Sequence, residues 1–209
     1  MSSQVATELI KLIPDVLWIL LVVVLITVFY RPIRDNLLPR ISGINAFGVG
    51  LTFIRENLDR AVETQPVKVS KNDREQTLRR AQRIAPLWRD AQILWVDDNQ
   101  DGNSYERRVM RSFGASIDLA SSTEEALKML KQKSVSYDAV ISDMKRGDNE
   151  QEGTHFIQSM REEQVYQWIT FYVRNLIESK GTPAYAHGIT NRPDHLLHNV
   201  MDILERERS

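Results

Sequence analysis

The chain has 209 residues, enough for one ordinary domain with extensions. Its 27 Lys and Arg nearly balance 28 Asp and Glu, and a net charge of −1 gives no general argument for nucleic-acid binding. Cysteine is absent, which excludes disulfides and thiolate metal sites.

Val16 to Tyr30 carries no charge, and Leu12 and Ile13 extend the apolar run upstream. A span over 12–30 matches a hydrocarbon core of ~30 Å at about 1.5 Å per residue. Trp18 and Tyr30 sit toward its two ends, as interfacial aromatics do. The start is Met-Ser-Ser-Gln and the run is followed by Arg31-Pro32-Ile33-Arg34, so a retained anchor is expected rather than a cleaved leader. Lys11 alone precedes the span, whereas Arg31, Arg34 and Arg40 follow it. The positive-inside rule then puts residues 1–11 outside the plasma (inner) membrane and everything after Tyr30 in the cytoplasm.

Residues 31–67 form a juxtamembrane block. Phe47, Val49, Leu51 and Phe53 alternate with Gly48, Gly50 and Thr52, a period of two that predicts a short half-buried strand. Arg55 to Glu63 reads as helical, with Leu58, Ala61 and Val62 on one side. A lone strand must pair within a small subdomain, with the following domain, or with a second copy of the chain, which would make the block a homo-oligomer contact. Gln65 to Lys71 reads as a linker, and Asn72 or Asp73 caps a predicted helix ending near Ala85 before Pro86, so that 68–90 is a linker helix. Its arginines (Arg74, Arg79, Arg80, Arg83) predict a basic, solvated face.

From residue 91 to 209 strand and helix signals alternate. Ile93-Leu94-Trp95-Val96 is an apolar run that breaks into Asp97-Asp98-Asn99, which reads as a buried parallel strand delivering acids to its carboxyl end. Tyr105, Val109 and Phe113 mark the next helix, closed by Gly114, and Ser116 to Ala120 a second strand. Ser122 and Glu125 form a capping box. Ala139-Val140-Ile141-Ser142 runs into Asp143, a third strand ending in an acid. A polar loop, Lys145 to Glu152, leads to a helix from about Gly153. Trp168 to Val173 is a fourth strand, Ile189-Thr190 a short fifth, and Pro193 to Glu207 the last helix. His195 and His198, three apart on that helix, read as a solvated face. The fold class is α/β, a five-stranded doubly wound parallel sheet preceded by a transmembrane helix and a small juxtamembrane α+β segment.

If the first and third strands are neighbours, Asp97, Asp98 and Asp143 share one pocket, where like charges raise each other's pKa unless a cation intervenes. Hard carboxylate oxygens in a solvated cleft suit Mg2+.

A first strand ending in Asp97-Asp98, a third ending in Asp143 and Arg192-Pro193 before the last helix resemble the receiver domain of bacterial two-component response regulators, over about Ala91 to Glu207. The resemblance implies Asp97, Asp98 and the Lys145 carbonyl as Mg2+ ligands, and Asp143 as a further ligand and the acceptor of a phosphoryl group from a histidine kinase. Two positions depart from it: Val173 stands where receivers carry a Ser or Thr hydroxyl, and Arg192 where they carry a phosphate-contacting Lys. Arginine keeps the charge but not the point-charge geometry.

The expected function is a non-enzymatic, membrane-tethered signalling module phosphorylated on Asp143, with a histidine kinase or another protein as partner and no nucleic acid. With no output domain after residue 209, output is expected through the anchor, the juxtamembrane block or a partner. The alternatives are a degenerate receiver that binds a nucleotide or protein without phosphoryl transfer, and a Mg2+-dependent phosphatase or nuclease, which the absence of a visible general base or Gly-rich phosphate loop disfavours.

Overall fold

The structure is a computed structural model that describes residues 47–132, 135–177, 179 and 181–208, together with Trp18, Leu21 and Val24. Those three positions are helical and exposed, while the expected span over 12–30 otherwise lies outside the described residues. Among the described residues no helix is long and apolar enough to cross a membrane.

In chain order the elements are α1 (Phe47–Thr64), α2 (Lys71–Arg83), α3 (Ala85–Trp88), β1 (Gln92–Val96), α4 (Ser104–Phe113), β2 (Ser116–Ala120), α5 (Thr123–Leu130), β3 (Ala139–Ser142), α6 (Glu152–Glu162), β4 (Ile169–Tyr172), β5 (Gly188–Thr190) and α7 (Pro193–Glu207). All five strands are parallel, in the order β2-β1-β3-β4-β5, as expected for a doubly wound sheet. Successive strand residues point to opposite faces, so each apolar run feeds two cores. Ile93, Trp95, Ile141 and Tyr172 pack with α1, α2, α4 and α7. Leu94, Val96, Val140, Ile169 and Phe171 pack with α5 and α6 on the other face. Burial on both faces explains why β1, β3 and β4 are apolar without alternation.

The predicted strand at Phe47–Phe53 is instead the first part of α1. The apolar residues Ile54, Leu58 and Ala61 recur at helical spacing and are buried against α4 and α7. Two helical glycines cost about 1 kcal/mol each, and full burial of a side chain the size of Leu58 returns about 2 kcal/mol. With no strand there, the case for an oligomer through strand pairing lapses.

The cap of α2 is Ser70, two or three residues ahead of the expected Asn72 or Asp73; its Oγ accepts from Asp73 N at 3.1 Å. Nor is its basic face wholly solvated. Arg80 donates to Asp202 (2.5 Å) and Glu205 (2.6 Å) on α7, and Arg74 to Asp59 (2.7 Å) on α1. His198, expected in solvent, is half-buried between the Thr77 hydroxyl (3.1 Å) and the Arg80 guanidinium (3.0 Å). The α1–α2 hairpin is thereby fastened to the domain.

Parallel strands ordinarily need a helical crossover. Among the described residues of the β4–β5 connection, 173–187, there is no α-helix. That leaves a cleft at the carboxyl edge of the sheet.

Candidate functional site

β1 and β3 pair so that Val96 lies opposite Ser142, which places the next residues, Asp97 and Asp143, side by side at the carboxyl edge. Asp143 N donates to Val96 O at 3.0 Å and locks that register. Asp98 and Asp143 both line a cavity of about 730 Å3, which Val173, Arg174, Ile177, Pro183 and Ile189 also line. The spatial premise of the sequence reading therefore holds for these two acids.

Asp97 lies beneath them, buried to 5% exposure, and both its oxygens are engaged. Oδ1 accepts from Asn99 N (2.8 Å) and Oδ2 from Asn103 Nδ2 (3.0 Å). Asn103 adopts φ 52°, a left-handed conformation that Asn tolerates, and this aims its amide at the acid. Burial raises the Asp97 carboxyl above its usual range against these hydrogen bonds. Asp98 Oδ2 accepts from Gly147 N at 2.8 Å. Gly147 has φ +55°, which glycine adopts without strain, inside a tight turn closed by the Arg146 and Asn149 backbones.

Asp143 Oδ1 accepts from Met144 N (2.7 Å) and Lys145 N (3.4 Å). Its carboxyl is pushed up to about 6, first by burial and then by the charge of Asp97. Below it, buried Arg146 donates to Ser142 Oγ (2.6 Å), Asp143 O (2.9 Å) and Thr123 Oγ1 (2.8 Å), tying the end of β3 to α5. Gly153 N donates to Met144 O at 2.9 Å, and a Cβ on Gly153 would stand 2.5 Å from Phe171 Cε1 and 3.1 Å from Asp143 O. The acid-bearing loop thus rests on a contact only glycine permits.

One expected contributor is not delivered. Arg192 does not line the cavity; its guanidinium donates to Asp194 (2.6 and 3.1 Å) and to Asp73 on α2 (3.1 Å). Thr170 does not compensate for Val173, because its hydroxyl donates to Gly188 O (3.2 Å) and accepts from Asn199 (2.9 Å) inside the sheet. Cationic Lys145 and Arg174, with the hydroxyl of Thr154, line the cavity instead. Lys145 pairs with Glu150 at 2.6 Å, and Arg174 has no ion pair among the described residues. Of these, Arg174 was legible only as the cation directly after the fourth strand, and Arg146 carried no sequence signal, lying in a polar loop.

Among the described residues no group of three or more His, Asp or Glu is close enough to hold a metal. Asp98 Oδ1 and Asp143 Oδ2 nonetheless carry no hydrogen bond among the described residues, and both residues open onto one cavity. Mg2+ takes one or two carboxylates and completes its shell with water and phosphate oxygens, so this pair fits it, with Asp97 as a buried support.

No family model and no curated protein matches the chain. Solved structures similar to it include a two-component response regulator from Clostridium difficile (23% identity, TM-score 0.48, covering 57% of this chain and 100% of that one). Others are a response regulator receiver domain protein from Clostridium thermocellum (18%, 0.45, 56% and 97%) and the response regulator TrrA from Thermotoga maritima in complex with Mg2+-BeF (25%, 0.45, 54% and 98%).

Proposed function

We propose that this chain is a membrane-tethered, receiver-like signalling protein of the two-component type, phosphorylated on Asp143 with Mg2+ present, with output through partner or oligomer contacts. The observation that carries the reading is the parallel register of β1 and β3, which opens Asp98 and Asp143 onto one cavity with Asp97 beneath. Asp98 and Asp143 hold the ion, and the Lys145 carbonyl, on the same loop, is the third candidate ligand. Bound there, Mg2+ would neutralise charge that builds on the phosphoryl oxygens during transfer. Asp143 Oδ2, the oxygen without a hydrogen bond, forms the new O–P bond while the bond from phosphorus to the donor breaks, its electron pair leaving with the donor, so that during transfer the ion would be held through Asp98 and the other Asp143 oxygen. Hydrogen bonds from Met144 N and Lys145 N hold the other oxygen and fix the angle of attack. Arg174 and Lys145 replace Arg192 as the cations facing the phosphoryl group.

A second reading is favoured by the absence of a hydroxyl at Val173 and the diversion of Thr170 and Arg192: a degenerate receiver that binds a ligand without turning over phosphate. Incubation with Mg2+ and acetyl phosphate separates the two. The first reading expects a retarded band on a phosphate-affinity gel that Asp143→Asn abolishes; an unretarded wild type that still binds Mg2+ favours the second.

A further inference from the structure

The cavity is larger than its acids require. At ~30 Å3 for each oxygen-sized group, a cation with four waters and a phosphoryl group fill on the order of 250 Å3, against about 730 Å3. The remainder is lined by Val173, Ile177, Pro183, Ala184 and Ile189, and Ile177 stays 52% exposed. Neither a metal ion nor a bare phosphoryl group has any use for that apolar wall. The cavity is also lined by Arg174, a cation with no ion pair among the described residues, and by two amides, Gln151 and Asn175, groups that bind an anion and the polar edge of a heterocycle. The wall exists because the β4–β5 connection brings no described α-helix to cover this end of the sheet.

We infer that the cleft binds an organic phosphate monoester of nucleotide size, its phosphate between Arg174 and a cation on Asp98 and Asp143, its organic part against Val173, Ile177 and Ile189. This rests on the reading of the acid pair as a Mg2+ site, and it adds a ligand that receiver chemistry does not need.

Calorimetric titration of the full chain in detergent tests it, with Mg2+ alone, Mg2+ with inorganic phosphate, and Mg2+ with AMP as the probe. AMP is expected to bind at least tenfold more tightly than inorganic phosphate. Ile177→Asn, at an exposed position the fold tolerates, is expected to erase that advantage while leaving Mg2+ binding unchanged, and Arg174→Ala to weaken AMP and phosphate alike. AMP binding no tighter than phosphate, with Mg2+ still bound, overturns the inference and leaves the metal reading standing. Loss of Mg2+ binding in the wild type overturns both.

Discussion

Asp143 is held at a cost that a single substitution should release. Shifting a carboxyl from 3.8 to about 6 disfavours its ionised form in the folded protein by about 3 kcal/mol, at ~1.4 kcal/mol per tenfold change. Solvent on the open side of the cavity reduces this to about 1–2 kcal/mol. A carboxyl raised in the folded state favours the protonated form there. Metal-free protein is therefore expected to lose that stability as pH rises from about 4 to about 6 and to lose no more from this group above it. Asp143→Asn keeps the acceptor for Met144 N and Lys145 N and removes the charge beside Asp97. In chelator-treated full chain, urea unfolding at pH 7.5 should show the variant about 1–2 kcal/mol more stable than wild type, with the difference vanishing near pH 4. A variant equal to or weaker than wild type at pH 7.5 would refute an Asp143 carboxyl raised by burial and by the charge of Asp97.

Gly153→Ala should destabilise by about 1–3 kcal/mol, since the new methyl meets the Phe171 ring at 2.5 Å and the acid loop behind it; an unchanged urea midpoint would contradict that close approach. Arg80→Ala should cost about 1–2 kcal/mol and speed amide exchange in 71–83, because Arg80 ties α2 to Asp202, Glu205 and His198; uniform or absent acceleration would show that the hairpin is held elsewhere. Glu106 is buried, accepts from the Tyr172 hydroxyl at 2.8 Å, and burial raises its carboxyl. Wild type should lose stability as pH rises above the ordinary Glu value, and Glu106→Gln should remove that slope and be at least as stable at pH 7; a less stable variant there would show a charged Glu106.

The parallel sheet and the acid edge were legible because both rest on local pattern. Ile93–Val96 and Ala139–Ser142 are short apolar runs that end abruptly in carboxylates, and buried parallel strands leave that signature. Phe47–Phe53 misled because Gly48 and Gly50 mimic a two-residue period, whereas Ile54, Leu58 and Ala61 set the helix by what they bury. Arg192 was misplaced for a local and a non-local reason: Asp194, two residues on, takes two of its three hydrogen bonds, and Asp73, which takes the third, lies 119 residues upstream on α2, where nothing near Arg192 in sequence announces that helix as a neighbour. Arg146 is the opposite error of omission: a charged residue in a polar loop is expected in water, and its burial is tolerable because oxygens of Ser142, Asp143, Thr123 and Glu152 accept from it and the Glu152 carboxylate lies 3.8 Å away.

Mn2+ titration of the full chain, followed by electron paramagnetic resonance, asks directly whether Asp98 and Asp143 act together on one ion. One bound ion per chain, displaced by Mg2+ and weakened at least tenfold by Asp98→Asn and by Asp143→Asn alike, is the expected result. Binding that survives both substitutions, or no binding by the wild type, would contradict a shared cation site.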